Sequence, residues 1–272
     1  MKTQRIIFPY AVWSLLFTVL PLILMFTLAF TDSSEKLTID NFLQVGKYSS
    51  VFVRSMWLGG FSTLVCFIIG YPVAYFISKI HVKNQGLVLV FMMIPMWMSF
   101  LLRTYAWITI LENNGLINTF LRSLGLGEIR IINTQWAVII GMVYNFLPYM
   151  VFPIYSVLAK IDTKIIEAAQ DLGANKQKVF SKVIFPLSIP GVISGIIMVF
   201  VPSVSTFIIS KMLGGGSNLL IGDLIEMQFL GTTYNPNLGS AISLVLMVII
   251  MICMGIMNKF DSEEEKRQAI MM

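Results

Sequence analysis

Runs of apolar residues separated by polar segments are the main pattern of this chain. Crossing a hydrocarbon core about 30 Å thick takes about 20 apolar residues in a helix that rises about 1.5 Å per residue. Six stretches meet this requirement: Ile6 to Phe30, Ser55 to Ile77, Leu87 to Ile110, Trp136 to Leu158, Ile184 to Ile208 and Ala241 to Met257. The pattern therefore predicts six membrane-crossing helices, with both ends of the chain on one side of the bilayer.

The runs are continuously apolar, which decides between the two ways of spanning a membrane. Strands of a transmembrane barrel would alternate apolar and polar side chains over about ten residues, and these runs do not. Composition agrees, because 57% of the 272 residues are hydrophobic and 12% are charged, against roughly 25% charged residues in a soluble domain. We expect an all-α polytopic membrane protein in which residues 1–272 form a single transmembrane domain.

Positive charges lie mostly on one side of the predicted spans. That side holds 12 of the 19 Lys and Arg residues, the other side holds 7, and the 14 acidic residues divide evenly. Because Lys and Arg accumulate in cytoplasmic loops, we expect both termini in the cytoplasm and the long loops 31–54, 111–135 and 210–240 outside. The net charge of +5 follows from this loop bias and gives no reason to expect a nucleic-acid partner.

Two of the outer loops contain short amphipathic segments. Apolar residues recur at helical spacing in the first, at Leu116, Ile117, Phe120, Leu121 and Leu124, which suits a helix lying on the bundle or at the membrane surface. In the second, Asp223 precedes Glu226 by three residues, which is the spacing of a capped helix start. The same two acids are also placed to guide cations at the outer mouth.

A short cytoplasmic segment between the fourth and fifth predicted spans has a helical pattern of its own. Good helix formers fill Ile165 to Leu172, Gly173 is a natural stop, and a second helix follows that enters the membrane. The small side chains of Ala168 and Ala169 leave room for a partner backbone, and Glu167 offers one charge. The sequence predicts a helix-turn-helix elbow over about residues 162–183 that contacts another protein.

This elbow resembles the signature loop of permeases from binding-protein-dependent ABC importers, which reads Glu-Ala-Ala, then Gly four residues later, then Ile-x-Leu-Pro. The residues that match are Glu167, Ala168, Ala169, Gly173 and Pro186, with Val183 and Phe185 in place of Ile and Leu. In that family the loop sits in a groove of the ATPase subunit and transmits its opening and closing. The resemblance implies a permease of the type I, MetI-like fold that couples through these five residues to a dimer of ATP-binding subunits.

Further stretches resemble the B-type permease subunit of polyamine (spermidine/putrescine) importers. They are Gly70 to Tyr75, Leu102 to Trp107, Leu147 to Met150, Gly214 to Gly222 and Glu226 to Phe229. An acid is common in that subfamily where this chain has Lys211, so an acidic substrate contact is not implied at this position. The resemblance implies a bacterial cell-membrane protein that works with a second, non-identical permease subunit and an extracytoplasmic solute-binding protein. A permease for another small solute of the same class is the alternative.

Polyamines are flexible polycations, and aromatic faces attract such cargo through cation–π contacts. The candidates for a translocation path are Trp97, Arg103, Tyr105, Tyr144, Asn145, Ser203, Ser205 and Thr206. Each has a structural alternative, since aromatic rings pack in cores or at the lipid interface, Arg103 can extend to the membrane surface, and hydroxyl and amide groups bond to neighbouring helices. Pro95 precedes Trp97 and marks a place where the third helix can break.

Residues for catalysis and for ion coupling are missing from the sequence. No Gly-x-x-x-x-Gly-Lys-Ser/Thr segment is present, so we expect ATP hydrolysis on a partner chain. With His81 as the single histidine and no clustered Cys, His and acids, we expect no catalytic residues, no metal and no cofactor. The predicted spans contain no Asp or Glu, which argues against the main alternative class, an ion-coupled secondary transporter. Acids along a polycation path would then come mainly from the second permease subunit.

Overall fold

The computed structural model describes residues 9, 12–32, 34, 36–216, 218–231 and 233–271, and the side chains of the last helix as far as Lys259. Some positions used in the sequence analysis lie outside the described residues. They are residues 6–8, 10 and 11 of the first predicted span, the charges of Lys2 and Arg5, Ser217, and the charged side chains of the tail. Within the described ranges the chain is helical and has no strand, apart from an isolated bridge between Thr31 and Leu37. The all-α expectation is confirmed.

Twelve helices follow one another through the described part of the chain. They are α1 Val12–Ala29, α2 Asp40–Val45, α3 Ser49–Lys79, α4 Val82–Trp97, α5 Phe100–Leu111, α6 Leu116–Ser123, α7 Gln135–Leu158, α8 Thr163–Asp171, α9 Lys176–Ser205, α10 Ile208–Leu213, α11 Ile221–Leu230 and α12 Pro236–Met271. Five of them, α1, α3, α7, α9 and α12, are long and apolar enough to cross a membrane in the part of the chain described, and the number is six if a bent pair of helices counts as one span.

The bent pair replaces the straight third span that the sequence predicts between Leu87 and Ile110. Helix α4 ends at Trp97, Met98 is extended with φ −74° and ψ 149°, and the following helices run at 88° to α4. Pro95 lacks the N–H that would continue the helical ladder, and a proline near a helix end favours such a break. The break at Pro95 is confirmed, whereas the expectation of one continuous helix is wrong.

Helices α3, α7 and α9 form the centre of the bundle and pack against one another. Their crossings use glycines, since a Cβ at Gly70 would lie 3.0 Å from Met150 Cγ and one at Gly195 would lie 3.1 Å from the Met150 carbonyl oxygen. Small residues let membrane helices approach closely and gain van der Waals contact. Met150 on α7 is fully buried between these two glycines.

Helices α1 and α12 pack together beside this centre, with α2 and α11 against α12. The Asn237 amide at the start of α12 donates to the carbonyls of Leu28, at 3.1 Å, and Thr31, at 2.7 Å. The Asn41 amide of α2 donates to the carbonyls of Ala29, at 3.0 Å, and Thr31, at 2.9 Å. These bonds satisfy carbonyls that the end of α1 leaves without helical partners.

The order of the helices assigns the short elements to opposite ends of the bundle. Helix α8 connects the end of α7 to the start of α9, whereas α6 precedes α7, and α10 and α11 follow the end of α9. The amphipathic helix predicted around Leu116 is confirmed as α6, and the helix start predicted at Asp223 is confirmed as the first turn of α11. One end of the bundle therefore carries the elbow, and the other carries α6, α10 and α11.

Candidate functional site

The elbow is built by local caps at each helix end. The Asp162 carboxylate accepts a hydrogen bond from the Lys164 N–H at 3.0 Å and begins α8. Gly173 ends it in the left-handed region with φ +82°, and the Ala174 N–H bonds to the Ala169 carbonyl at 3.1 Å. This is the pattern of a glycine-terminated helix in which the last carbonyls find partners. The two-helix elbow and the stop at Gly173 agree with the sequence prediction.

The side chains of α8 divide between an outward face and a face against the bundle. Glu167 and Ala168 are exposed, and Leu172 is 90% exposed, so these three residues present a mixed apolar and acidic surface. Ala169 is partly buried and packs against the chain's own core. Ala168 therefore lies on the outward face and Ala169 beside the bundle, and the expectation that both alanines contact a partner stays a prediction.

Pro186 follows a local widening of the helix that leaves the elbow. Residues Phe180–Ile184 form a five-residue π turn directly before Phe185 and Pro186 in α9. A proline cannot donate to the preceding turn, and such turns accommodate the missing bond. The widened turn also brings Phe180 and Phe185 onto the Tyr71 ring, with centroid separations of 5.9 and 5.6 Å. Pro186 thus shapes α9 directly after the π turn, away from the exposed face of α8.

A cavity of about 290 Å³ lies beneath the elbow, between the ends of α3, α7 and α8. Gln85 connects its walls, since its amide nitrogen donates to the Ile80 carbonyl at 2.8 Å and its amide oxygen accepts from the Tyr155 hydroxyl at 2.8 Å. The Lys79 ammonium lies over the Tyr75 ring at 5.6 Å. The cavity beneath the elbow is therefore framed by polar groups of α3, α4 and α7, while Ile166 and Ala169 of α8 pack against the apolar core.

Four of the predicted path residues have side chains open to the surface of this chain. Trp97 ends α4 at the break, Tyr105 lies on α5, and both are exposed. Tyr144 on α7 is also exposed and packs edge-on against Trp107 of α5, with ring centroids 5.2 Å apart. Ser205 is exposed at the end of α9 and donates to the Val201 carbonyl at 3.0 Å. The Trp107 contact joins α5 to α7 and places two of these aromatic positions on adjoining helices.

The remaining polar residues among the predicted path positions lie inside the bundle or at a helix junction. Asn145 is buried and its amide nitrogen donates to the Gly141 carbonyl at 2.8 Å. Ser203 is buried as well, and neither its hydroxyl nor the Asn145 amide oxygen has a hydrogen-bond partner in the part of the chain that the structure describes. Thr206 is partly buried and extended where α9 ends. These residues do not share an open surface with the exposed aromatic residues.

Arg103 lies on α5 after the break and is partly buried. Its guanidinium lies 5.7 Å from the centre of the Phe100 ring, a cation–π contact, and its Nε atom is buried without a hydrogen-bond partner among the described residues. Unpaired buried donors are costly, and intramembrane charges usually serve a function. Arg103 therefore remains a candidate for contact with a group outside this chain.

The opposite end of the bundle carries a charged group that the sequence does not reveal. Lys211 on α10 bonds to both carboxylate oxygens of Glu226 on α11, at 2.9 and 3.0 Å. Asp223 accepts from the Leu220 N–H at 2.8 Å, so the cap lies one turn earlier than the spacing of Asp223 and Glu226 predicts, with Leu220 at the N-cap and Asp223 three residues later. Burial raises the pKa of Asp223, against the lowering effect of the Ser210 hydroxyl. Spacing alone could not find the ion pair, because its partners come from different helices.

The fold and these sites are those of a known class of membrane protein. Residues 2–263 match the family described as the binding-protein-dependent transport system inner membrane component. The chain belongs to this family and is a multi-pass membrane component of a transport system.

Curated relatives within this class share more than a third of their residues with the chain. The chain is 38% identical over 248 residues to the spermidine/putrescine transport system permease protein PotB of Haemophilus influenzae, covering 88% of this chain and 86% of that protein. It is 37% identical over 248 residues to the protein of the same name from Escherichia coli, covering 88% and 90%. The inner membrane ABC transporter permease protein YdcU of Escherichia coli is 24% identical, over 87% of this chain and 79% of that protein.

Solved structures share the fold at much lower identity. A chain of a bacterial alginate ABC transporter, in complex with an alginate pentasaccharide-bound periplasmic protein, superposes with a TM-score of 0.81 at 16% identity, over 94% of this chain and 92% of that one. A chain of the MetNI methionine ABC transporter in an inward-facing conformation gives a TM-score of 0.57 at 16% identity, over 79% and 95%. The MetI-like ABC permease fold implied by the elbow is confirmed.

Proposed function

We propose that this chain is one permease subunit of an ATP-driven importer for polyamines. The observation that carries the proposal is the 37–38% identity to spermidine/putrescine permeases over 88% of the chain. The exposed aromatic side chains of Trp97, Tyr105 and Tyr144 support it, since faces of this kind attract organic ammonium groups. Residues 1–272 act as one transmembrane unit that contributes one wall of the path.

The outward face of α8 contacts the ATP-binding subunits. Leu172 is an apolar side chain that is almost fully exposed on a short helix, and Ala168 beside it leaves space for close approach. Exposed apolar residues of this kind gain most of their stabilisation by entering a pocket of a partner. Glu167 adds a charge that a basic partner residue can bind. Hydrolysis of ATP takes place on that partner, and this chain contributes no catalytic residue.

Orientation follows from the position of the elbow. An ATPase works in the cytoplasm, so α8 and both termini lie on that side, and α6, α10 and α11 lie on the outer side. The excess of Lys and Arg on the elbow side agrees with this assignment. A solute-binding protein then delivers cargo to the end that carries α11.

A second, non-identical permease subunit completes the path. A polycation that leaves water needs compensating negative charge, because an isolated charge in a low-dielectric interior costs several kcal/mol even after relaxation. In the described part of this chain, the five long helices and the bent pair include few acids, and those lie near their ends. The second subunit therefore supplies the carboxylates at mid-membrane, and lipid covers the outer faces of α1 and α12.

The proposal is tested on the purified complex of this chain with its neighbouring ATPase and second permease. The binding protein is added empty, loaded with spermidine, or loaded with putrescine, and ATP hydrolysis is measured in lipid nanodiscs. We expect the loaded form to stimulate hydrolysis well above the empty form. A binding protein that takes up no polyamine, or equal hydrolysis in all three arms, contradicts the polyamine assignment.

A further inference from the structure

Glu226 and its neighbour Asp223 place two carboxylates beside one ammonium at the end of the bundle opposite α8. They are three residues apart on α11, which puts them on the same face of that helix. Glu226 binds the Lys211 ammonium through both oxygens, at 2.9 and 3.0 Å. Two acids beside one Lys leave the group one negative charge in excess.

Asp223 has an unused carboxylate oxygen in this group. The residue is 2% exposed, and its Oδ2 accepts from the Leu220 N–H at 2.8 Å. Its Oδ1 is buried and accepts no hydrogen bond within the described residues, because the neighbouring Ser210 hydroxyl, which lowers the pKa of Asp223, donates to the Phe207 carbonyl at 3.0 Å. A buried carboxylate oxygen without a partner is costly and is therefore a strong acceptor for an additional donor. The group is thus able to hold a cation more completely than it does here.

The ammonium that occupies this group is weakly held. The side chain of Lys211 is 59% exposed and that of Glu226 is 20% exposed, so water reaches both partners. Exposed ion pairs of this kind contribute little net stabilisation, because solvent screens them and a long side chain loses freedom. A competing ammonium can therefore replace Lys211 at small cost.

We propose that Glu226, with Asp223 behind it, is a binding site for a primary ammonium group at the outer mouth. In the absence of cargo, the ammonium group of Lys211 occupies this site. The terminal ammonium of a polyamine has the same chemistry as the Lys211 side chain, with N–H donors for both carboxylates. Arriving cargo displaces Lys211 and enters the path through this exchange. The inference rests on the proposed function for the identity of the cargo.

If cargo displaces Lys211, neutral substitutions of Lys211 and of Glu226 change the affinity for cargo in opposite directions. In a purely structural ion pair, the two substitutions would have the same effect. Replacing Lys211 by Met removes the competitor and keeps the length of the side chain, so binding of free cargo becomes tighter. Replacing Glu226 by Gln removes the charge that holds the cargo, so binding becomes weaker. If the pair only ties α10 to α11, both variants lose stability together and neither binds cargo more tightly.

The experiment measures binding of free spermidine to the complete importer in nanodiscs, without the binding protein. We expect K211M to lower the Kd for spermidine by about two- to fivefold, because spermidine then no longer competes with an exposed ion pair. We expect E226Q to raise it by about tenfold or more, through loss of a charge-assisted bond. Spermidine methylated at every nitrogen to the quaternary ammonium lacks N–H donors and should show no difference between wild type and K211M. If E226Q does not fold, the double variant K211M/E226Q is measured in its place, because it lacks both charges of the pair.

The matched control is the ion pair of Arg122 with Glu128, which has an N–O distance of 3.4 Å and two exposed side chains. E128Q breaks this pair at the same end of the bundle and should bind spermidine like wild type. The proposed ammonium site is contradicted if K211M, E226Q and wild type bind spermidine with equal affinity, or if both variants bind it more weakly. Either result leaves the proposed function intact. Absence of spermidine binding and uptake in wild type and E128Q overturns the proposed function as well.

Discussion

The Tyr71 hydroxyl and the Ser188 hydroxyl are 2.8 Å apart in the core, although the two residues are separated by 117 positions in the sequence. Tyr71 lies on α3, and Ser188 lies on α9 two residues after Pro186. Both residues are buried, and the Tyr71 ring also packs against Phe180 and Phe185. This contact attaches α9, the helix that returns from the elbow, to α3 at the centre of the bundle.

Ser188→Ala is expected to destabilise the protein more than Tyr71→Phe. S188A leaves the buried Tyr71 hydroxyl without its partner, a loss of about 1–3 kcal/mol. Y71F leaves the Ser188 hydroxyl bonded to the Phe185 carbonyl at 2.8 Å, and the loss is about 0.5–1.5 kcal/mol. Unfolding of the purified protein in detergent measures both values. The double variant should lose less than the sum of the single ones, and a greater loss in Y71F than in S188A contradicts this ranking.

Gly195→Leu is expected to separate α9 from α7. A Cβ at Gly195 would lie 2.8 Å from Met150 Sδ and 3.1 Å from the Met150 carbonyl oxygen, so a larger side chain must push the helices apart. We expect a loss of about 1–3 kcal/mol, as for other overpacked cores. Gly60→Ala on α3 is the control, because a Cβ there meets nothing within 4 Å. A G195L variant with the unfolding temperature of G60A would show that this crossing is not tightly packed.

Leu172→Ala is expected to weaken association with the ATPase without affecting the fold. The side chain is 90% exposed, so its removal costs no core packing, but an apolar anchor at a protein interface contributes about 1–2 kcal/mol or more. Co-purification of the ATPase with the permease measures the loss. Leu230→Ala changes a leucine that is 82% exposed at the opposite end of the bundle and should leave ATPase association unchanged. Equal association of both variants contradicts the assignment of the α8 face.

Ala168→Trp tests the same surface by obstruction. Ala168 is exposed, so a large side chain fits in the free permease but blocks close approach of a partner. Ala169→Trp is a poorer test, because Ala169 packs against the chain's own core and its replacement would disturb the fold. We expect A168W to keep the wild-type unfolding temperature and to lose ATP-driven uptake. Normal uptake in a well-folded A168W protein would place the ATPase contact elsewhere.

Asp223→Asn is expected to change how stability depends on pH. Burial raises the pKa of Asp223 in the folded protein, so the protonated form is favoured on folding. The associated stability is fully present below the pKa of the unfolded chain and is lost as the pH rises through the folded pKa. The stability of D223N relative to wild type should therefore increase with pH across this window and then level off. Unfolding temperatures measured at several pH values test the sign, and a relative stability of D223N that falls as the pH rises contradicts it.

The sequence predicts where the helices lie along the chain better than it predicts which side of each helix is buried. Long apolar runs, Gly173 and Pro95 have local physical consequences, and the structure shows the corresponding spans, helix end and break. The burial of Asn145 could not be predicted, because a span that is apolar all round carries no signal for its packed side. The pairing of Lys211 with Glu226 depends on how two short helices meet, which no spacing rule describes.

Uptake of labelled spermidine into proteoliposomes tests the central claim most directly. Vesicles contain this chain and the ATPase, either with or without the second permease subunit, and the loaded binding protein is added outside with ATP inside. We predict uptake that requires the binding protein, ATP and both permeases, because this chain alone supplies too little negative charge for a polycation at mid-membrane. Robust uptake with this chain as the sole permease would contradict the charge argument, and no uptake by the complete system would contradict the assignment as a polyamine permease.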